Sequence, residues 1–231
     1  PSSIIEFSDI IITGTGHSDY EHLVRLQANN NNIYTIAILD HWVNYLERFS
    51  FGDKKVLPQE IWVMDNEAFK LANKLFSNIK ITKINNDYYD FAKFQISNNS
   101  LNSNNVLYVM EILDEVWKSN TPGWLDAFKY FWEEKENLIN GKIDKIFIRP
   151  HPKDEINKYD ILKSKYNNLF IDYNTSIIDS LMNSSLVVGV ESAALDLAGY
   201  CGIKTFSSMP PWGRKIRIPN ENIDLISDFV S

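Results

Sequence analysis

Short apolar runs alternate with stretches of helical length along the whole chain, and this alternation restricts the fold more than any other feature. The apolar runs fall at 10–13, 33–39, 60–64 and 79–84, and again at 106–110, 143–148, 169–172, 186–190 and 204–207. Patterns that read as helices lie between many of them, at 18–28, 66–76, 124–138, 155–166, 176–182 and 192–200. Strands separated by helices pair in parallel and are covered by those helices, so the expected class is α/β. The first helix has a capping-box start, Ser18-Asp-Tyr-Glu21. Residues 88–94 read as a helix or a loop, and 222–230 as a terminal helix crossing a lobe. The Ser/Asn-rich stretch 95–105 has little to bury beyond Ile96 and Leu101, and reads as a linker. The expectation is two Rossmann-like lobes with parallel sheets, 1–103 and 104–231, the first of them reduced.

Composition excludes several functions. A net charge of −7 argues against nucleic-acid binding, which needs basic surface, and against a polybasic membrane anchor. No apolar run approaches the ~20 residues of a membrane span, and no basic start leads into a signal-peptide core. The single Cys201 has no partner for an internal disulfide and reads as a buried thiol in a reducing compartment, so a cytoplasmic setting is expected. No Asp-x-Asp follows a strand, no Cys/His spacing fits a metal, and no Gly-x-Ser-x-Gly elbow is present. Neither a metal nor a cofactor is expected.

Two motifs of the second lobe carry the chemistry. Arg149-Pro-His-Pro152 follows a strand. Its two prolines stiffen the chain, so the His151 imidazole projects from a rigid support, and Arg149 suits bidentate contact with a carboxylate or a phosphate. The bland alternative is a turn whose histidine caps a neighbouring strand. Glu191-Ser192-Ala193-Ala194 joins a strand to a helix start. Small residues there let a ligand approach, Ser192 offers a hydroxyl, and Glu191 could take a ribose hydroxyl pair. The bland alternative is a plain helix N-cap. Both motifs fall where open α/β sheets bind ligands, at strand carboxyl ends, and helix starts favour anions.

The first lobe offers a second group. Gly14-Thr15-Gly16-His17 joins a strand to a helix without the third glycine of a dinucleotide fingerprint or the lysine of a P-loop. Thr15, His17 and Asp19 are candidate contacts for a sugar or acceptor. Asp40-His41-Trp42-Val-Asn44 ends the next strand; Asp40 could serve as a base if burial shifts it, and Trp42 could stack on a sugar. The alternative there is a loop held by Trp42, Tyr45 and Phe49. Glu111 follows the first strand of the second lobe and could also reach a ligand.

The succession of a strand, Arg149-Pro-His-Pro-Lys153, Asp172, Ile177-Ile-Asp-Ser-Leu181 and Val190-Glu-Ser192 resembles the nucleotide-binding half of GT-B-fold glycosyltransferases. It is most similar to the bacterial sialyltransferase, Kdo-transferase and glycerophosphotransferase groups of surface-polysaccharide synthesis. In those groups a His-Pro motif and a Ser motif hold a cytidine nucleotide; His151 and Pro152 match the first and Ser192 the second. The likeness covers about 143–207 well and the first lobe only in layout. It implies a metal-independent glycosyltransferase that takes a nucleotide-sugar donor, a CMP-linked acidic sugar, and a glycan acceptor at the inner face of the membrane, with possible peripheral attachment. Asp40, His17 and His151 are the expected catalytic residues. Arg149, His151, Pro152, Glu191, Ser192 and Ala193 would bind nucleotide or phosphate. Gly14, Thr15, Gly16, Asp19, His41, Trp42, Asn44 and Glu111 would bind sugar or acceptor. An epimerase or hydrolase of the same fold, or a non-catalytic nucleotide- or glycan-binding lobe, are the other readings.

Overall fold

The structure, a computed structural model, describes residues 5, 7–16, 18–98, 103–118, 120–139, 141–218 and 221–230. The chain divides into two compact units, Pro1–Asn86 and Asp87–Ser231.

The first unit runs β1 (Ile10–Thr13), α1 (Asp19–Asn30), β2 (Tyr34–Ile38), a 3₁₀ turn (Glu47–Phe49), β3 (Ser50–Phe51), β4 (Lys54–Lys55), β5 (Glu60–Val63), α2 (Asn66–Leu75) and β6 (Lys80–Lys83). Four strands form a parallel sheet in the order β1-β2-β5-β6. Ala37, Ile61 and Val63 point to one face, where Ala68, Ala72 and Phe76 of the α2 region cover them. The small hairpin β3–β4, absent from the sequence reading, turns on Gly52, whose φ of 57° suits glycine. The capping box at α1 forms in altered shape. Ser18 Oγ accepts from Tyr20 N–H at 3.3 Å, and Glu21 reaches past the cap to accept from Gly16 N–H at 2.8 Å.

Glu60 organises the opposite face of this sheet. Its carboxylate is nearly buried and accepts hydrogen bonds from Thr82 (2.6 Å), Lys80 (3.0 Å), Trp62 (2.9 Å) and Tyr34 (3.0 Å). The Thr82 bond leads these donors in stabilising the anion, and the carboxyl is held down to about 2 from an ordinary 4.5. A depressed carboxylate stabilises the fold above its unfolded value and loses that contribution as pH falls through the folded one. Urea unfolding of the wild type is therefore expected to show stability draining between about pH 4.5 and 2, with a shallower slope in Glu60→Gln. Equal slopes in the two proteins would contradict this role.

The second unit runs α3 (Asp87–Ser97), β7 (Val106–Val109), α4 (Gly123–Leu138), β8 (Ile146–Arg149), a 3₁₀ turn (Ile156–Tyr159), α5 (Asp160–Lys165), β9 (Leu169–Ile171), α6 (Ile177–Met182), β10 (Leu186–Gly189), α7 (Ala193–Tyr200), β11 (Lys204–Ser207), β12 (Asp224–Leu225) and α8 (Ile226–Phe229). All six strands are parallel in the order β12-β11-β10-β7-β8-β9. In chain order that is 3-2-1-4-5-6 read from β9, the doubly wound Rossmann arrangement. Side chains alternate across it. Tyr108, Ile148 and Val188 face Phe128, Phe131 and Leu162 of α4 and α5. Leu107, Val109 and Val187 face Ala92, Ile178, Leu181 and Leu195 of α3, α6 and α7. The α/β class with parallel sheets expected from the alternation is the observed one.

Two local readings differ. The expected helix at 222–230 is a two-residue strand followed by a single helical turn, because Asp224 and Leu225 pair with Phe206 and Ser207. The expected linker 95–105 is helical in its first residues, since α3 buries Ala92 and Ile96 in the second unit; 99–102 lie outside the described residues.

β10 and β7 lie against each other where the strand order reverses. A Cβ on Gly189 would sit 2.9 Å from the Val109 carbonyl oxygen and 3.4 Å from Leu195. Val109 is held in the sheet by its pairing with Arg149 of β8, so its carbonyl has little room to retreat, and Gly189→Ala is expected to lower unfolding free energy by roughly 1–3 kcal/mol. A denaturant midpoint equal to that of the wild type would show that the strands part without cost.

Candidate functional site

A cavity of about 370 Å³ opens at the carboxyl ends of β7, β8 and β10 in the second unit. Its walls are the Arg149–Pro152 corner, Ser192 and Ala193 at the start of α7, Met110 after β7, and Tyr88 and Tyr89 of α3. This is the crevice beside the reversal of strand order, where doubly wound sheets accept ligands. The structure thus brings Arg149, His151, Pro152, Ser192 and Ala193, far apart in sequence, into one lining.

The corner is built to hold His151 still. His151 Nδ1 accepts from Lys153 N–H at 3.1 Å, and the His151 carbonyl accepts from Asp154 N–H at 2.9 Å. Asp154 in turn accepts from Lys158 at 2.8 Å and from the Tyr159 hydroxyl. A ring nitrogen that accepts carries no proton, so the neutral imidazole bears its hydrogen on Nε2 and presents a donor.

Ser192 is the N-cap of α7. Its Oγ accepts from Ala194 N–H at 3.1 Å, as the plain-cap alternative requires, and the hydroxyl hydrogen remains available to donate. The cap is observed, and the same residue lines the cavity. Tyr88 and Tyr89 supply the aromatic wall that the sequence reading missed. Tyr89 packs its ring on Tyr200 at 5.4 Å and donates its hydroxyl to the Ala193 carbonyl at 3.4 Å. The signal was visible as a Tyr-Tyr pair opening a helix, but nothing in the sequence tied that helix to the second unit.

Glu191 is not offered to a ribose. Its side chain is 5 % exposed, and its carboxylate accepts from Arg214 and from the Arg217 side chain and backbone N–H, the last at 3.0 Å. Arg214 also donates to Glu115 at 2.7 Å. These arginines follow β11. Glu111 is held beside them, accepting from Glu191 N–H at 2.7 Å. Burial, reinforced by the Glu191 carboxylate, pushes its carboxyl up to about 7.

In the first unit the candidate residues are placed differently from expectation. Thr15 is buried and donates to the Ile38 carbonyl at 3.1 Å, and Gly14 and Thr15 carbonyls accept from the buried Arg25 and Arg48 at 2.9 and 2.7 Å. Gly16 N–H is taken by Glu21. Trp42 donates to Asp65 at 2.8 Å, and Tyr45 and Phe49 are buried, so this segment follows the packed-loop alternative. Asp40 is 59 % exposed, with His41 Nε2 3.6 Å away, and is not the buried base that the sequence reading required. Asn44 is exposed with φ 59°, and Asp19 is an exposed residue of the first turn of α1. His17 lies outside the described residues.

No family model and no curated protein matches the chain. Among solved structures it is similar to the UDP-GlcNAc 2-epimerase of Methanocaldococcus jannaschii, at 14 % identity and a TM-score of 0.60, over 97 % of this chain and 69 % of that one. The likeness shows the fold: Rossmann-like and of GT-B type. Among the described residues no helix is long and apolar enough to cross a membrane.

A raised carboxyl stabilises the fold below its unfolded value and loses that contribution as pH rises through the folded one. Wild-type stability is therefore expected to fall between about pH 4.5 and 7 on account of Glu111. Glu111→Gln, which mimics the protonated acid, should flatten that segment in urea titrations at pH 5 and pH 8. An unchanged pH slope in the variant would rule Glu111 out as its source.

Proposed function

We propose that the chain acts on nucleotide-activated sugars and that the cavity of the second unit holds the nucleotide. The observation that carries this reading is the convergence of His151 and Ser192, one on a proline-braced corner and one opening α7, on a single lining. An imidazole Nε2–H, a serine hydroxyl and the guanidinium of Arg149 suit a phosphate, and the tyrosine wall suits a stacked base, worth about 1–3 kcal/mol in other base-binding sites. Donors fixed in place stabilise the negative charge that develops on a departing nucleotide without reorganising. Retention of the His-Pro and Ser motifs supports glycosyl transfer from a CMP-linked acidic sugar, as in the sialyltransferase and Kdo-transferase groups.

A second reading has a specific observation behind it: the structural neighbour is named as a UDP-GlcNAc 2-epimerase. Product analysis separates the two. The first predicts a glycosylated acceptor and free CMP from a CMP-sugar; the second predicts an epimeric UDP-sugar or its cleavage product.

A thermal-shift panel of CMP, CDP, UMP, UDP and GDP tests the nucleotide site, because ligands that bind only the folded chain raise its melting point. A selective rise with cytidine nucleotides, reduced in His151→Ala, is expected. A panel with no response, or one that His151→Ala leaves intact, would remove the cavity from the mechanism.

A further inference from the structure

Arg149 is bound on one side only. Among the described residues its hydrogen bonds all leave from Nη1, to Asp172 Oδ2 at 2.7 Å, Ser180 Oγ at 2.9 Å and the Asn174 carbonyl at 3.1 Å. Asp172 is buried at the end of β9. It is fixed by Ser180, which donates to Oδ2, and by Asn174 N–H, which donates to Oδ1 at 3.1 Å. Ser180 is buried on α6, one turn from Ile177, which lines the same cavity as Arg149. The guanidinium is therefore anchored by two elements, the end of β9 and α6, and its Nε–Nη2 edge is left without a protein partner among the described residues. That edge is a planar pair of donors spaced to meet two oxygens of one oxyanion.

We propose that Asp172 and Ser180 are positioning residues: they hold Arg149 by Nη1 so that its Nε–Nη2 edge receives a phosphate oxygen pair in the cavity. This rests on the cavity being the nucleotide site. The argument is one of pre-organisation. An arginine side chain free to rotate gives up rotamer freedom on binding, whereas one tied down beforehand gives up little. Two opposed effects meet here. Asp172 neutralises part of the cation and so weakens its pull on an anion, while it fixes the geometry that a bidentate contact needs. A fork that must match two oxygens loses more by rotating than it gains in charge, so geometry is expected to win.

Calorimetric titration of CMP and of cytidine into the same protein isolates the phosphate, because the two differ only there. The wild type is expected to bind CMP more tightly than cytidine. Asp172→Asn and Ser180→Ala should each lower that ratio, by about tenfold for Asp172→Asn, the size of one charge-assisted hydrogen bond. Cytidine affinity in Ser180→Ala should stay near wild type even if the lost buried hydrogen bonds lower the melting temperature, a selectivity for the phosphate that a merely structural role would not give. Arg149→Lys, which keeps charge and loses the fork, should lower the ratio as well.

A ratio that rises in Asp172→Asn would mean the aspartate acts only as a counter-charge and would overturn the proposal. A ratio unchanged in both Asp172→Asn and Ser180→Ala, but lowered in Arg149→Lys, would overturn positioning while leaving Arg149 as the phosphate ligand. Should Asp172→Asn fail to fold, Ser180→Ala decides alone. A wild type that binds neither ligand, or binds both equally, would overturn the phosphate site itself and this proposal with it.

Discussion

The second unit depends on one topological fact: its chain leaves β7 toward β8 and β9, then crosses back to place β10 on the other side of β7. The connections put α4 and α5 on one face of the sheet and α6 and α7 on the other. The loops after β7 and β10 diverge, and a crevice opens between them. Everything that gives this unit chemistry sits on its rim: Met110 and Glu111 after β7, the Arg149–Pro152 corner after β8, and Glu191 and Ser192 after β10. Gly189 belongs to the same constraint, because the close approach of β10 to β7 leaves no room for a side chain there.

Around the rim the charges are sorted. Glu191 is taken by Arg214 and Arg217, and Asp172 by Arg149. Burying a carboxylate is costly unless it is paired, so these partners are what allow acids to sit at strand ends. Glu111 is the exception: burial, reinforced by the Glu191 carboxylate, raises its carboxyl to about 7 against the lowering pull of the Glu191 N–H. What remains uncommitted on the cavity wall, among the described residues, is a donor set: the His151 Nε2–H, the Ser192 hydroxyl and the Nε–Nη2 edge of Arg149. In the first unit cations are spent differently: Arg25 and Arg48 are buried against carbonyls of the Gly14–Thr15 turn and brace that turn from beneath.

The alternation of apolar runs was enough to read the class and nearly every strand, because burial on both faces of a parallel sheet demands continuous apolar segments. The two-residue β12 and the β3–β4 hairpin were too short to leave a period. The convergence of His151 with Ser192 was legible because both follow strands, and strand ends of one sheet lie together. The partners of Glu191 were not legible: Arg214 and Arg217 are more than twenty residues away in an irregular tail, and only packing brings them back. The Asp40–Phe49 segment misled for the opposite reason. Trp42 looked like a ligand contact by composition, yet aromatic residues beside a strand end are as often used in packing; here Trp42 donates to Asp65, and Tyr45 and Phe49 are buried, as the packed-loop alternative had it. Tyr88 and Tyr89 were passed over because a helix joining two lobes gives no sign of which lobe it serves.

The central claim is spatial, that a nucleotide phosphate sits between the Arg-Pro-His-Pro corner and the start of α7. An experimental structure of the chain with bound CMP tests it most directly. The account predicts the phosphate within hydrogen-bond reach of His151 Nε2 and the Ser192 hydroxyl, with the base against Tyr88 or Tyr89. A nucleotide bound in any other crevice, with this cavity holding only solvent, would contradict it.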